Sequence, residues 1–155
     1  MRTPNTSMNK SLRTLIALVL SGMAGATSAQ IKVENAWVRA TVTGQQSTGG
    51  FMKITSAQPV KLLTVTTPVA LTNEIHEMKL EGDVMKMRAH LNGLDIPANK
   101  TVELKSGGYH LMMMELEKPI KAGDTVPLQL QFIDAKGSKQ TVTVNAKVSF
   151  KNPYK

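Results

Sequence analysis

Between Ile31 and Ser149, apolar and polar positions exchange every second residue far more often than they recur every three or four. The segments "VPLQLQF" (126–132) and "TVTVNAKV" (141–148) alternate cleanly. A period of two puts successive side chains on opposite faces of a strand, one towards a core and the other towards water. On this basis the strands predicted are Ile31–Ala40, Gly50–Thr55, Val60–Thr66, Glu74–Leu80, Val84–His90, Thr101–Lys105, His110–Leu116, Thr125–Ile133 and Gln140–Ser149. Turn signals punctuate them: Thr43-Gly44, Glu81-Gly82-Asp83, Asn92-Gly93, Ala122-Gly123-Asp124 and Ala135-Lys136-Gly137. Short, evenly spaced strands with such turns predict an all-β fold, an antiparallel sandwich or barrel with Greek-key connections. No helical period, internal repeat or linker interrupts the pattern, so one domain is expected.

Residues 1–29 stand outside this alternation. Arg2, Lys10 and Arg13 precede an apolar run from Leu15 to Leu20, and "SGMAGATSA" supplies small residues at Thr27 and Ala29. That order is the order of an export signal, with cleavage expected after Ala29 and residues 30–155 forming the mature domain. The apolar run is far shorter than the roughly 20 residues a spanning helix needs. A periplasmic location is the expectation.

The full chain carries a formal charge of +8, and the leader holds three basic residues and no acid, which leaves +5 on the 126 residues beyond it. The lysines are scattered without a basic run or interleaved aromatics, so nucleic acid is not an expected partner. A monomer is expected. The chain has no cysteine, which removes thiolate zinc clusters, blue-copper centres, dithiol redox sites and cysteine nucleophiles. Methionine is the soft donor that remains.

Seven methionines lie beyond residue 29, and six of them, Met78, Met85, Met87, Met112, Met113 and Met114, fall within one window that also holds His76, His90 and His110. Taken singly, a methionine on a strand is most simply core filler, and a lone histidine is most simply structural. Their joint spacing adds chemistry. On a strand, His110, Met112 and Met114 share one face while Met113 points the other way. The segment "NEIHEMKLEGDVMKMRAH" has the form of a hairpin turning at Glu81–Asp83. If Leu80 pairs with Met85, then Met78 faces Met87, His76 faces Ala89, and His76, Met78 and Met87 share a face. A slip of one residue would separate His76 from Met87. Imidazole nitrogen with neutral thioether sulfur selects a soft ion of low charge, Cu(I). Only the imidazoles in such a set take up protons, so binding should weaken in acid.

Enzymatic signatures are absent. His76-Glu77 lacks the second histidine of H-E-x-x-H, since Leu80 stands there, and the segment alternates as a strand where that motif needs a helix. No G-x-S-x-G elbow occurs. An enzyme is not expected.

With these residues in view, the chain resembles the periplasmic copper chaperones of the PCu(A)C family. The strings that carry the likeness are "EIHEM", "GDVMKMR", "GGYHLMMM", "KAGDTVPLQLQF" and, earlier, "AWVRATVTGQQSTGGFMKI", together covering about Ala36 to Phe132. The resemblance implies a cupredoxin-like β-barrel and a Cu(I) site formed by His76, Met87, His110 and Met112. It also implies delivery of copper to a respiratory oxidase subunit or its assembly factor, notably the CuA centre of cytochrome c oxidase. Met78, Met85 and Met114 are then neighbouring or alternative thioethers, or core. Met113 points away, His90 is a surface strand residue, and Trp37 and Tyr109 pack near or under the site. Some members carry a His- and Met-rich tail with a second copper; the terminal "SFKNPYK" has neither residue type. Two other functions remain open at this point: a periplasmic copper-sequestering buffer, and a metal-free β-sandwich interaction module whose methionines are only core.

Overall fold

The computed structural model describes residues 29–155, so the expected signal segment lies outside the described residues apart from Ala29. Ten strands follow in order: β1 (Ile31–Arg39), β2 (Ser47–Ser56), β3 (Val60–Thr66), β4 (Ala70–Glu81), β5 (Val84–Ala89), β6 (Leu94–Ile96), β7 (Thr101–Leu104), β8 (Tyr109–Leu116), β9 (Thr125–Asp134) and β10 (Lys139–Ser149). No helix occurs among the described residues. The strands form one sheet in the order β5-β4-β8-β2-β1-β10-β9-β3-β6, with β7 added beside β2.

The sheet curls back on itself. β3 touches β4 although five strands separate them in the sheet order, and Ser56 bridges to Ala98 beyond β6. One apolar cluster fills the interior, with Val38, Ile54, Leu62, Leu111, Met113, Leu128, Leu130 and Phe132 essentially inaccessible. The period of two explains this placement: on β9 the inward residues are Val126, Leu128, Leu130 and Phe132, and their neighbours face outward. The fold is all-β, as expected from the pattern, and cupredoxin-like, as the resemblance implied.

Among the paired strands it departs from a purely antiparallel arrangement at one place. β1 and β10 pair in parallel, Trp37 with Lys147 through Arg39 with Ser149. A parallel pair needs a long crossover, and here the entire intervening chain supplies it. β1 also carries a bulge between Glu34 and Trp37, where Asn35 adopts φ +54°. The extra residue re-aims the strand, so that Ala36, Trp37 and Val38 are all buried in succession.

β4 and β5 form the expected hairpin. The closing pair is Glu81 with Val84, leaving Gly82-Asp83 as a two-residue loop. Gly82 has φ +62°, the sign a type II′ loop requires at its first position and one that only glycine adopts without strain.

Candidate metal centre

The face of interest is built on three neighbouring strands, β5, β4 and β8, at one edge of the sheet. On the hairpin side, His76 pairs with Ala89, Met78 with Met87 and Leu80 with Met85, the register the sequence required. On the other side of β4, His76 pairs with His110, Glu74 with Met112 and Thr72 with Met114. Directly opposed residues share a face. His76, Met87, His110 and Met112 therefore all project from one side of the sheet, accompanied by Met78, Met85 and Met114. Ile75, Leu111 and Met113 project from the other side into the core, where each is buried.

The two imidazoles are neighbours, with ring centroids 5.9 Å apart and planes inclined at 70°. Each is held by one nitrogen. His110 Nδ1 lies 3.0 Å from the Gly108 carbonyl oxygen, which can only accept, so Nδ1 carries the proton and Nε2 keeps its lone pair. The same carbonyl accepts the Met78 backbone N–H at 3.0 Å, tying β4 to the turn before β8. His76 Nε2 donates to Glu74 Oε2 at 2.8 Å. Its Nδ1 is then the basic nitrogen, buried without a partner. A buried acceptor left unpaired costs free energy unless something else satisfies it, and a metal ion does so. A carboxylate or carbonyl that fixes the tautomer of a ligating imidazole is the usual support of a metal-binding histidine.

Burial differs across the set. His110 is 6% exposed and the His76 side chain 13%, whereas Met87 is 50% exposed. No cluster of three or more His, Cys, Asp or Glu suited to a metal ion occurs among the described residues. The donors beyond the two imidazoles are the thioethers and the Glu74 carboxylate, which His76 engages.

Other residues named from the sequence fall off this face. His90 follows the end of β5, donates its backbone N–H to Ile75 oxygen at 2.7 Å, and sets its ring against Tyr109 with centroids 5.4 Å apart. It is half-buried and lies just past the strand in which it was expected. Tyr109 pairs with Glu77 on the side opposite the two imidazoles. Burial, then the neighbouring Glu77 carboxylate, pushes the phenol above its ordinary value. Trp37 stacks on Phe51 with centroids 4.6 Å apart. Phe51 folds over Gly49, where a Cβ would meet its ring at 2.9 Å, and Gly49 is the strand partner of Met112. The aromatic stack thus adjoins the methionine end of the site.

Three contributors escaped the sequence reading: Glu74, the Gly108 carbonyl and Phe51. Glu74 was within reach of it, because a residue two positions before His76 shares its face of a strand. The other two depend on a turn and on a glycine gap that periodicity does not express.

The LpqE-like family profile matches residues 31–148. The chain belongs to the LpqE-like family. A relative from Leifsonia xyli subsp. xyli, named "Putative lipoprotein Lxx21020", is 30% identical, with 84% of this chain and 87% of the relative covered. Among solved structures, copper(I)-bound DR1885 from Deinococcus radiodurans in solution is 31% identical, covers 85% of each chain and superposes with a TM-score of 0.60. The copper-bound PCuAC domain from PmoF2 is 21% identical, covers 78% of this chain and 93% of the domain, and has the same TM-score of 0.60. This LpqE-like chain therefore shares the fold of PCuAC domains. None of its 155 residues is a cysteine, so a lipid could not be attached through a thiol within them.

Proposed function

We propose that this LpqE-like protein is a periplasmic copper chaperone of the PCu(A)C type, which carries one Cu(I) on His76, Met87, His110 and Met112. The observation that carries the reading is the unpartnered, buried Nδ1 of His76, held on the same face as His110 and the thioethers. Two neutral nitrogens and two thioether sulfurs suit Cu(I); zinc would call for thiolates or further imidazole and carboxylate ligands, and calcium and magnesium for several oxygens, whereas the carboxylate of Glu74 on this face is engaged by His76. The copper(I)-bound state of DR1885, a relative at 31% identity, supports the same cargo. His76 would bind through Nδ1 and His110 through Nε2, each oriented by the hydrogen bond on its other nitrogen.

The role is transport without bond-making chemistry. Half-exposed Met87 favours delivery over storage, because an incoming donor can reach the ion from that side. A thiolate-bearing acceptor would draw Cu(I) from thioethers, which matches transfer to the dinuclear CuA centre of cytochrome c oxidase or an assembly factor for it. The leader-like residues before Gln30 and the lipoprotein name of the Leifsonia relative support export.

The test is a Cu(I) titration against a coloured chelator, run beside a variant with Met87→Leu and Met112→Leu. One tightly held equivalent, lost in the variant while its fold is retained, is expected. A native protein that fails to compete for copper would return the methionines to a packing role and leave a metal-free interaction module. Copper that is held but never passes to a thiolate acceptor under reducing conditions would identify a buffer instead.

A further inference from the structure

Beside the His/Met face lies a groove of about 760 Å³. The Trp37–Phe51 stack lines it, together with Phe150 and Tyr154, which are 59% and 38% exposed. Tyr154 is fixed there: its hydroxyl donates to Ala36 oxygen at 3.3 Å, and Lys147 Nζ sits 5.2 Å from its ring centre. The groove is also cationic. Arg39, Lys53, Lys105, Lys151 and Lys155 line it against one carboxylate, Glu103, which Lys53 and Lys105 share at 3.5 Å each. Five cations and one anion leave +4, most of the +5 carried by residues 30–155. Scattered along the sequence, these charges are gathered by the fold.

The groove adjoins the metal face through Phe51. Trp37 is the strand partner of Phe51, Phe51 covers Gly49, and Gly49 is the strand partner of Met112. A chain lying along the aromatic wall would therefore be held next to the methionine end of the donor set.

We propose that this groove is the docking surface for an acidic, extended segment of the protein that accepts the metal. The inference rests on the chaperone reading and adds to it the chemistry of the partner. Cations from four separate segments of the chain, spread along one open groove, fit a run of carboxylates; a small anion would call for donors converging on a point. The exposed aromatic surface supplies contact for the segment's apolar side chains. Complementary charge of this kind accelerates encounter and fixes register, leaving the metal site to decide the chemistry.

Trp37 is the sole tryptophan, so its fluorescence reports on the groove directly. The probe is a capped decapeptide of alternating Glu and Ala, titrated into the metal-free chain. A Lys/Ala decapeptide and a ten-residue thymidine oligonucleotide are the comparisons. A saturable change with the Glu/Ala peptide alone is expected, weakened by salt. In the variant Lys151→Glu/Lys155→Glu it should bind about tenfold more weakly. The same variant should retain native Cu(I) affinity and thermal unfolding, since both lysines are exposed and lie off the donor set. No response, an equal response to the Lys/Ala peptide, or tighter binding of the oligonucleotide would overturn the proposal. Peptide binding by a chain that holds no copper would support the groove while overturning the metal reading.

Discussion

His76 and His110 are direct partners across β4 and β8, yet they are anchored through opposite ring nitrogens: His76 by Nε2 to Glu74, His110 by Nδ1 to the Gly108 carbonyl. Two imidazoles 5.9 Å apart at their centres thus present different basic atoms, one Nδ1 and one Nε2. This asymmetry comes from their supports and is open to test.

Replacing Glu74 should blur the tautomer of His76. In Glu74→Ala the ring loses its acceptor, and Cu(I) affinity should fall by roughly 10- to 100-fold, the usual cost of removing such a support. Glu74→Gln keeps an acceptor and should restore most of that affinity. Nitrogen chemical shifts of His76 in the metal-free protein should show an unprotonated Nδ1 in the native chain and a mixture in Glu74→Ala. An unchanged shift in the alanine variant would mean that Glu74 does not set the tautomer.

The adjacent methionines Met112 and Met113 should separate function from stability. Met113 is fully buried, and Met113→Ala should cost about 2–5 kcal/mol in chemical denaturation with the donor set intact. Met112 lies on the outer face, and Met112→Ala should cost about 1 kcal/mol while weakening copper binding. Equal destabilisation by the two would contradict the assignment of faces.

Gly82→Ala tests the hairpin that sets the register. A side chain at φ +62° costs roughly 1–2 kcal/mol, enough to raise local opening about 5- to 30-fold. Amide exchange should accelerate across Val84–Ala89 and stay native in β8. Acceleration spread evenly over the sheet would show that the hairpin does not open as a unit.

Tyr109 gives the pH dependence a definite sign. Because burial and Glu77 raise its folded value, the folded state holds the phenol proton at pH values where the unfolded chain has already lost it. The contribution is therefore complete below about pH 10, the ordinary value, and is lost as pH climbs towards the folded one. Unfolding measured from pH 9 to 11 should show a steeper alkaline decline in the native protein than in Tyr109→Phe. Parallel declines would remove Tyr109 as the source.

Much of this architecture was legible in the sequence because it rests on period two. The β4–β5 hairpin was signalled by the turn residues at Glu81–Asp83, and its register is the one that pairs Leu80 with Met85, the condition set for His76 and Met87 to share a face. The outward and inward methionines of β8 followed from their parity. Where the signal was weak, the boundaries moved. β2 begins at Ser47 and β4 at Ala70, ahead of the predicted Gly50 and Glu74, because small and polar residues there pair by backbone without an apolar rhythm. β6, only Leu94–Ile96, is too short to show a period. The parallel β1–β10 pair joins the two ends of the fold, and no local pattern encodes a partner more than a hundred residues away.

The unequal anchoring of the donor face shapes how it could be emptied. His76, His110 and Met112 stand on interior strands whose backs press Ile75, Leu111 and Met113 into the core, whereas Met87 rides on an outermost strand with every residue exposed. Such an edge opens at far lower free energy than the strands beneath it. On the proposed ligand set the arrangement would work as a clasp with one fixed jaw and one loose one. Cargo would then come and go by movement of the loose jaw alone, and the protein would meet its next ion without having to refold.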